Sequence, residues 1–358
     1  MHVITGLNVG GAENQLALLT LERRKRGFED VVINLTRGGA IKDKLVSGGV
    51  IVHDLGLNSS LPNPYSLLRF RKYVNIYKPD IVQSWMYHAN LFSVISLKLL
   101  ASKNLPLIWG IRCSNMDPNK YNFKFRIVLS LCKALSNIAD VTLANSYAGK
   151  LFHQNSGYKS KQWEVIINGV ETKIFKPDMS LRKLKRQELQ IAENEFVIAH
   201  VGRVDPMKDH NTFFAALKLI PNIHTLLVGA GTERFLNSNV RHCLGRREDI
   251  PELLSAADLL VSSSAYGEGL SNSILEGMAC GLPIVATETG DSAKLIAGIG
   301  KIVPPSDSHA LAFAIKQFIE MPKKELDNIK TAARKSAEQN HSINKMLNEY
   351  DQLYNSIL

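Results

Sequence analysis

The 358-residue chain is predicted to be α/β throughout, with two domains each built on a parallel sheet. Three observations carry that prediction. Short apolar, β-branched runs alternate with longer helical patterns, as in strand–helix–strand units. The alternation stops once, near residues 168–180, and then restarts. The length suits two domains of roughly 100–200 residues each.

In the first half, strands are expected at 3–7, 30–35, 50–55, 81–83, 107–110, 141–145 and 165–167. Amphipathic stretches such as 12–27 and 64–77 lie between them. Strands joined through helices run parallel, so these elements predict one doubly wound sheet. A turn at 168–170, a connector at 175–177 and a polar, basic helical stretch at 181–191 interrupt the pattern. It resumes with strands at 196–200, 226–228, 259–262, 284–286 and 301–303. The expected division is 1–170, 171–340 and a closing helix in 341–358, with the first domain as a surface for that helix to pack back on.

Composition narrows the class. Apolar residues make up 45% and charged residues 21%, which excludes disorder by composition. Cys113, Cys132, Cys243 and Cys280 include no C-x-x-C pair, so reduced, buried thiols are expected. The chain begins in a strand-like segment, so no signal peptide is expected. No apolar run reaches the ~18 residues of a membrane span. The net charge of +10 is one-sided: residues 1–175 carry 22 Lys/Arg against 11 Asp/Glu, and residues 176–358 carry 21 against 22. A basic half suits an anionic membrane surface, or serves solubility alone. A nucleic-acid partner would need aromatic platforms or a known motif, and neither is present.

Four segments carry chemistry. Gly10-Gly11-Ala12-Glu13 follows the first strand and opens a helix, where backbone N–H groups favour an anion. A plain tight turn explains it equally well, and it is not the G-x-G-x-x-G of a nicotinamide site. Gly202-Arg203, followed by Lys208, lies at the carboxyl end of a strand, where open α/β sheets bind ligands. Two cations there can neutralise a diphosphate without a metal. Glu268 and Glu276, with seven residues between them, flank the turn Gly269-Leu270-Ser271-Asn272 that becomes a helix. Its N–H groups can face a sugar or phosphate, and a carboxylate can accept from vicinal hydroxyls. Gly245-Arg246 precedes another helix and suits the edge of a base, or is simply a capped loop.

In this order and spacing the segments resemble glycosyltransferase family 4, the retaining transferases of the GT-B fold (glycosyl transferases group 1). The resemblance covers nearly the whole chain. It implies two Rossmann-like domains facing each other across a cleft. It also implies roles for single positions. Arg203 and Lys208, with Gly202, would hold the donor's diphosphate. Glu276 would hold the ribose. Glu268 would face the transferred sugar beside Gly269, Leu270, Ser271 and Asn272. Arg246 would lie near the base, and Gly10 and Gly11 would close on the phosphates. Two features depart from the family pattern. Asp209 stands where glycine is usual. The stretch after the fourth strand reads Gln83-Ser84-Trp85-Met86-Tyr87-His88, so either Trp85 or His88 takes the sugar-proximal position usually held by histidine.

The implied reaction transfers a hexosyl or N-acetylhexosaminyl group from a UDP-sugar, or alternatively a GDP-sugar. The acceptor is lipid-linked or a saccharide, in cell-surface polysaccharide assembly. Front-face attack would retain the anomeric configuration. No D-x-D occurs, so no metal or other cofactor is expected. The implied location is cytoplasmic, peripheral on the inner face of the plasma membrane. Arg23-Arg24-Lys25-Arg26 and the stretch holding Lys120, Lys124, Arg126 and Lys133 beside Tyr121, Phe123, Phe125 and Ile127 are the expected contacts. The rivals are a nucleotide-sugar 2-epimerase of the same shape and a non-catalytic nucleotide-sugar-binding subunit.

Overall fold

The computed structural model describes residues 1–57, 63–99, 105–114 and 121–358. The chain divides into two compact units, Met1–Asn168 with Met346–Leu358, and Gly169–Lys345. Each is a parallel sheet covered by helices.

The N-terminal unit contains β1 (His2–Ile4), β2 (Val31–Asn34), β3 (Ile51–Asp54), β4 (Val82–Trp85), β5 (Leu107–Ile111), β6 (Val141–Ala144) and β7 (Trp163–Val165). Their order is β3-β2-β1-β4-β5-β6-β7. Strands β2 and β5 are buried at every residue. Helices cover both faces, so such strands read as continuous apolar runs rather than alternating ones.

The C-terminal unit contains β8 (Val197–Val201), β9 (His224–Val228), β10 (Arg241–Gly245), β11 (Leu259–Ser262), β12 (Ile284–Thr287) and β13 (Gly300–Val303), in the order β10-β9-β8-β11-β12-β13. Strand β10 is absent from the sequence expectation. It reads Arg-His-Cys-Leu-Gly and sits at the sheet edge beside β9, half-buried, so it needs no apolar run.

Each strand order reverses once, between β1 and β4 and between β8 and β11. At such a switch point the loops leaving adjacent strands diverge to opposite faces and open a crevice at the carboxyl ends.

The helix 64–77 forms as expected, capped by Asn63, whose side chain accepts from Ser66 N. The closing helix Ile343–Ile357 buries Met346, Leu347, Tyr350, Leu353 and Tyr354. Its Asp351 pairs with Arg23 and, at 2.9 Å, with Arg26. Of the basic patch expected at Arg23–Arg26, this withdraws Arg23 from the surface, while Arg24, Lys25 and Arg26 remain exposed. Arg23 is buried and also bound to Asp30 at 3.1 Å, because the closing helix brings a carboxylate that is distant in sequence.

The second basic stretch divides. On the helix Phe123–Leu135, Phe123, Ile127 and Leu131 are exposed at four-residue spacing, with Lys124, Arg126 and Lys133 also at the surface. Phe125, expected beside them, turns inward against Tyr87 and His88. Lys120 lies outside the described residues. All four cysteines are free and buried. Among the described residues no helix is long and apolar enough to cross a membrane.

Candidate active site

The switch point of the C-terminal unit gathers the charged residues singled out in the sequence. Strand β8 ends at Val201 and leads through Gly202 into a turn. There Arg203 pairs with Asp205 at 3.0 Å, and Asp205 also accepts from Met207 N at 2.9 Å. Asp209 takes a left-handed conformation (φ 45°) and caps the helix His210–Lys218 by accepting from Thr212 N. An aspartate serves here in place of glycine because its short side chain can bond locally in that region.

Strand β11 leads into the second loop, and the two loops are stitched together. Ala265 N donates to Met207 O at 2.8 Å, and Lys208 Nζ forms an ion pair with Glu268 Oε1. Ser264 Oγ donates to the same oxygen at 3.2 Å. Glu276 lies in the second turn of the helix Asn272–Ala279. The residue is half-buried. Burial pushes the pKa up to about 7, against a smaller opposing pull from Lys208. No hydrogen bond satisfies this carboxyl among the described residues. It is an acceptor in need of donors, and vicinal hydroxyls would supply them.

The helix Asn272–Ala279 follows Gly269, Leu270 and Ser271, all buried, and Ser271 gives it no side-chain cap. Other helices do carry caps, from Ser146 and Asp307 for example. Two glycines the sequence reading passed over let backbone approach this region. At Gly229 (φ 143°) a Cβ would lie 2.3 Å from Gly202 O. At Gly290 (φ 56°) it would lie 2.3 Å from Gly269 O and 2.4 Å from Glu268 O. Each directly follows or nearly follows a strand, which was the only signal for them. Arg246 is exposed after β10, while its neighbour Arg247 is held by Asp249 at 2.6 Å.

In the N-terminal unit, Gly10 and His88 follow β1 and β4 at the other switch point. Gly10, in extended conformation, precedes the helix Gly11–Lys25, and Gly11 is exposed. Glu13 folds back so closely that a Cβ on Gly10 would lie 2.3 Å from its carboxylate. After β4 the chain turns sharply through Met86 (φ 72°) into the helix Met86–Val94. His88 is half-buried there, its ring stacked on Phe125 at 5.4 Å, and burial lowers its pKa. Trp85 is fully buried. Its Nε1 donates to His2 Nδ1 at 3.2 Å and Arg112 covers its face at 4.2 Å, so Trp85 belongs to the core. A cavity of about 280 Å³ lined by His2, Arg23, Asp30 and Tyr354 lies at the amino ends of the strands, away from either switch point.

The fold and this site fit a glycosyltransferase, and comparison with known proteins agrees. The model of the family Glycosyltransferase Family 4 matches residues 9–174, and that of Glycosyl transferases group 1 matches residues 182–336. The chain belongs to the group 1 glycosyltransferases of GT-B architecture. It is 27% identical over 314 residues to the N,N'-diacetylbacillosaminyl-diphospho-undecaprenol alpha-1,3-N-acetylgalactosaminyltransferase of Campylobacter jejuni, covering 83% of this chain and 82% of that one. It is 33% identical over 149 residues to an Escherichia coli UDP-Gal:alpha-D-GlcNAc-diphosphoundecaprenol alpha-1,3-galactosyltransferase, covering 37% and 38% of the two chains. The crystal structure of Anabaena Alr3699/HepE in complex with UDP-glucose matches with a TM-score of 0.85 at 24% identity, covering 99% of this chain and 100% of that one.

Proposed function

We propose that this glycosyltransferase moves a sugar from a UDP-sugar to a polyprenyl-diphosphate-linked glycan, retaining the anomeric configuration and using no metal. The observation that carries the reading is the switch-point cluster of the C-terminal unit. One ammonium, Lys208, is bound to Glu268 and is felt by the enclosed Glu276, and Arg203 stands on the same turn.

The chemistry follows from placing a donor on these groups. The bond between the anomeric carbon and the β-phosphate oxygen breaks. The leaving diphosphate gains charge, which Lys208 and Arg203 take up electrostatically. The acceptor oxygen bonds to the anomeric carbon on the same face, and its proton passes to the departing phosphate oxygen. Glu268, tied to Lys208, faces the sugar on which positive charge develops as the diphosphate departs. Glu276 accepts from the ribose hydroxyls. His88, kept neutral by burial, lies in the crevice of the N-terminal unit with the backbone of Gly10 and Gly11. The UDP-Gal donor of the Escherichia coli relative, the UDP-glucose complex of the Anabaena protein and the diphospho-undecaprenol substrates of both enzyme relatives support the donor nucleotide and the acceptor class.

The same reading seats the protein on the inner face of an anionic membrane through the stripe Phe123, Ile127 and Leu131 with Lys124, Arg126 and Lys133. A polyprenyl-linked acceptor is reached there.

The test is turnover of a panel of UDP- and GDP-sugars with an undecaprenyl-diphosphate-linked acceptor, watching product and donor separately. Release of UDP that depends on acceptor, with an α-linked product from an α-linked donor, is expected. Donor isomerisation without acceptor would instead mean an epimerase, and binding without turnover a non-catalytic subunit.

A further inference from the structure

The turn carrying Lys208 is held from beneath by two residues that no role above requires. Ser263 follows β11 directly, and its Oγ donates to Lys208 O at 2.8 Å and, more weakly, to Asp209 O at 3.3 Å. The same Oγ lies 3.0 Å from His200 Nε2. His200 sits in β8, so the contact bridges the two strands that define the switch point.

The proton count fixes the direction of this chain of bonds. A hydroxyl has one proton, and both carbonyls can only accept. Ser263 therefore gives its proton to the turn, and His200 must donate to Ser263 through Nε2–H. His200 is buried, its ring stacked on Phe213 at 4.6 Å. Burial, then the neighbouring His210 and the charge of Lys208, hold its pKa well below the usual value, so it is neutral and keeps a single N–H. That N–H is committed to Ser263, so the bond to Lys208 O is directed from the sheet outward.

We propose that His200 and Ser263 are positioning residues for Lys208, fixing the carbonyl end of its turn so that the ammonium meets Glu268. This rests on Lys208 acting in the proposed transfer. Asp209, immediately after Lys208, is in the left-handed region, a conformation that surrounding contacts must hold; Ala265 N ties Met207 O on one side of Lys208, and Ser263 ties the Lys208 carbonyl itself. Neither residue touches the donor, and both act only through where they place Lys208.

The experiment compares Ser263→Ala and His200→Phe with the unaltered protein, two variants so that a folding failure in one leaves the other readable. The first readout is the rate of reductive methylation of Lys208, with Lys185 as an internal control. Lys185 is ion-paired to Asp249 at 2.7 Å in the same unit and far along the chain from Ser263. The second is donor kcat/KM. Ser263→Ala should raise methylation at Lys208 alone by roughly 5-fold and lower kcat/KM roughly 5- to 10-fold, the scale of one lost hydrogen bond. His200→Phe should move both in the same direction by less. Faster methylation of Lys208 with unchanged kcat/KM would keep the positioning role and overturn the reading of Lys208 as a donor ligand. Unchanged methylation, or an equal rise at Lys185, would overturn the proposal.

Discussion

The two switch points use the same topology and are furnished in opposite ways. In the C-terminal unit the loops after β8 and β11 bring together Arg203, Asp205, Lys208, Glu268 and Glu276; Arg203 pairs with Asp205 within one loop, Lys208 pairs with Glu268 across the two, and Glu276 lies within reach of the charge of Lys208. In the N-terminal unit the segments after β1 and β4 offer glycine backbone and a neutral histidine stacked on a phenylalanine. Both turn through a left-handed residue other than glycine, Asp209 in one and Met86 in the other. Strain of that kind persists where surrounding structure demands it, often at functional sites. The difference teaches that the fold supplies a crevice twice, while the residues supply ionic chemistry once. On the proposed function the donor's diphosphate would lie with the Lys208 and Arg203 charges of the C-terminal unit.

The largest effect that would break this contrast is at Glu268. Its carboxylate meets both Lys208 and Ser264. A hydrogen bond to a charged group is worth ~1.5–3 kcal/mol, so Glu268→Gln should lower kcat about 10- to 100-fold. The loss should fall on kcat because the interaction strengthens as charge develops. Steady-state kinetics with an intact kcat would remove Glu268 from the reaction.

Glu276→Gln should act differently, raising donor KM about 10-fold with a smaller change in kcat. Its partner, the ribose, is alike in ground and transition states, so this is uniform binding. Damage confined to kcat would reverse the two assignments.

Glu276 also sets a pH dependence with a definite sign. Its folded pKa, about 7, is above the ordinary glutamate value. The folded state therefore binds more protons than the unfolded one between the two values, and stability falls as pH rises through that window. Thermal melts should drop from pH 5 to 7.5, and Glu276→Gln should flatten the trend. Donor affinity should move the other way, tightening as pH rises through 7, because the ionised carboxylate is the better acceptor. Flat profiles in both experiments would mean the carboxyl is not buried as described.

His88→Phe should cost less than 10-fold in kcat/KM, since a neutral imidazole makes at most ordinary hydrogen bonds. A loss as large as that of Glu268→Gln would move catalytic weight to the N-terminal crevice. The smallest effect expected is from EDTA, which should leave turnover unchanged if Arg203 and Lys208 neutralise the diphosphate.

The fold was legible because its signal is local. Strands such as β2 and β11 are apolar runs, and Asn63 with Pro64 marks a helix start without help from the rest of the chain. Strand β10 was not, because an edge strand that starts with arginine and histidine gains its place from β9 rather than from its own composition. The same division holds for the site. The spacing of Glu268 and Glu276 is visible in sequence. That Lys208 meets Glu268 is a contact across sixty positions of chain and is visible only in space. His200 lies in an expected strand, and no motif marks Ser263 or Asp351. Each acquires its meaning from a partner that folding delivers.

The most direct test of the account is the affinity of the protein for a UDP-sugar, measured by calorimetry with Lys208→Met beside the unaltered chain. If the paired charges of the C-terminal crevice hold the diphosphate, losing this ammonium should weaken binding about 10-fold or more, on the scale of a charged hydrogen bond. The weakening should be greater in low salt than in high, as screening reduces what the ammonium contributes. Equal affinity of the two proteins at every salt concentration would contradict the central claim.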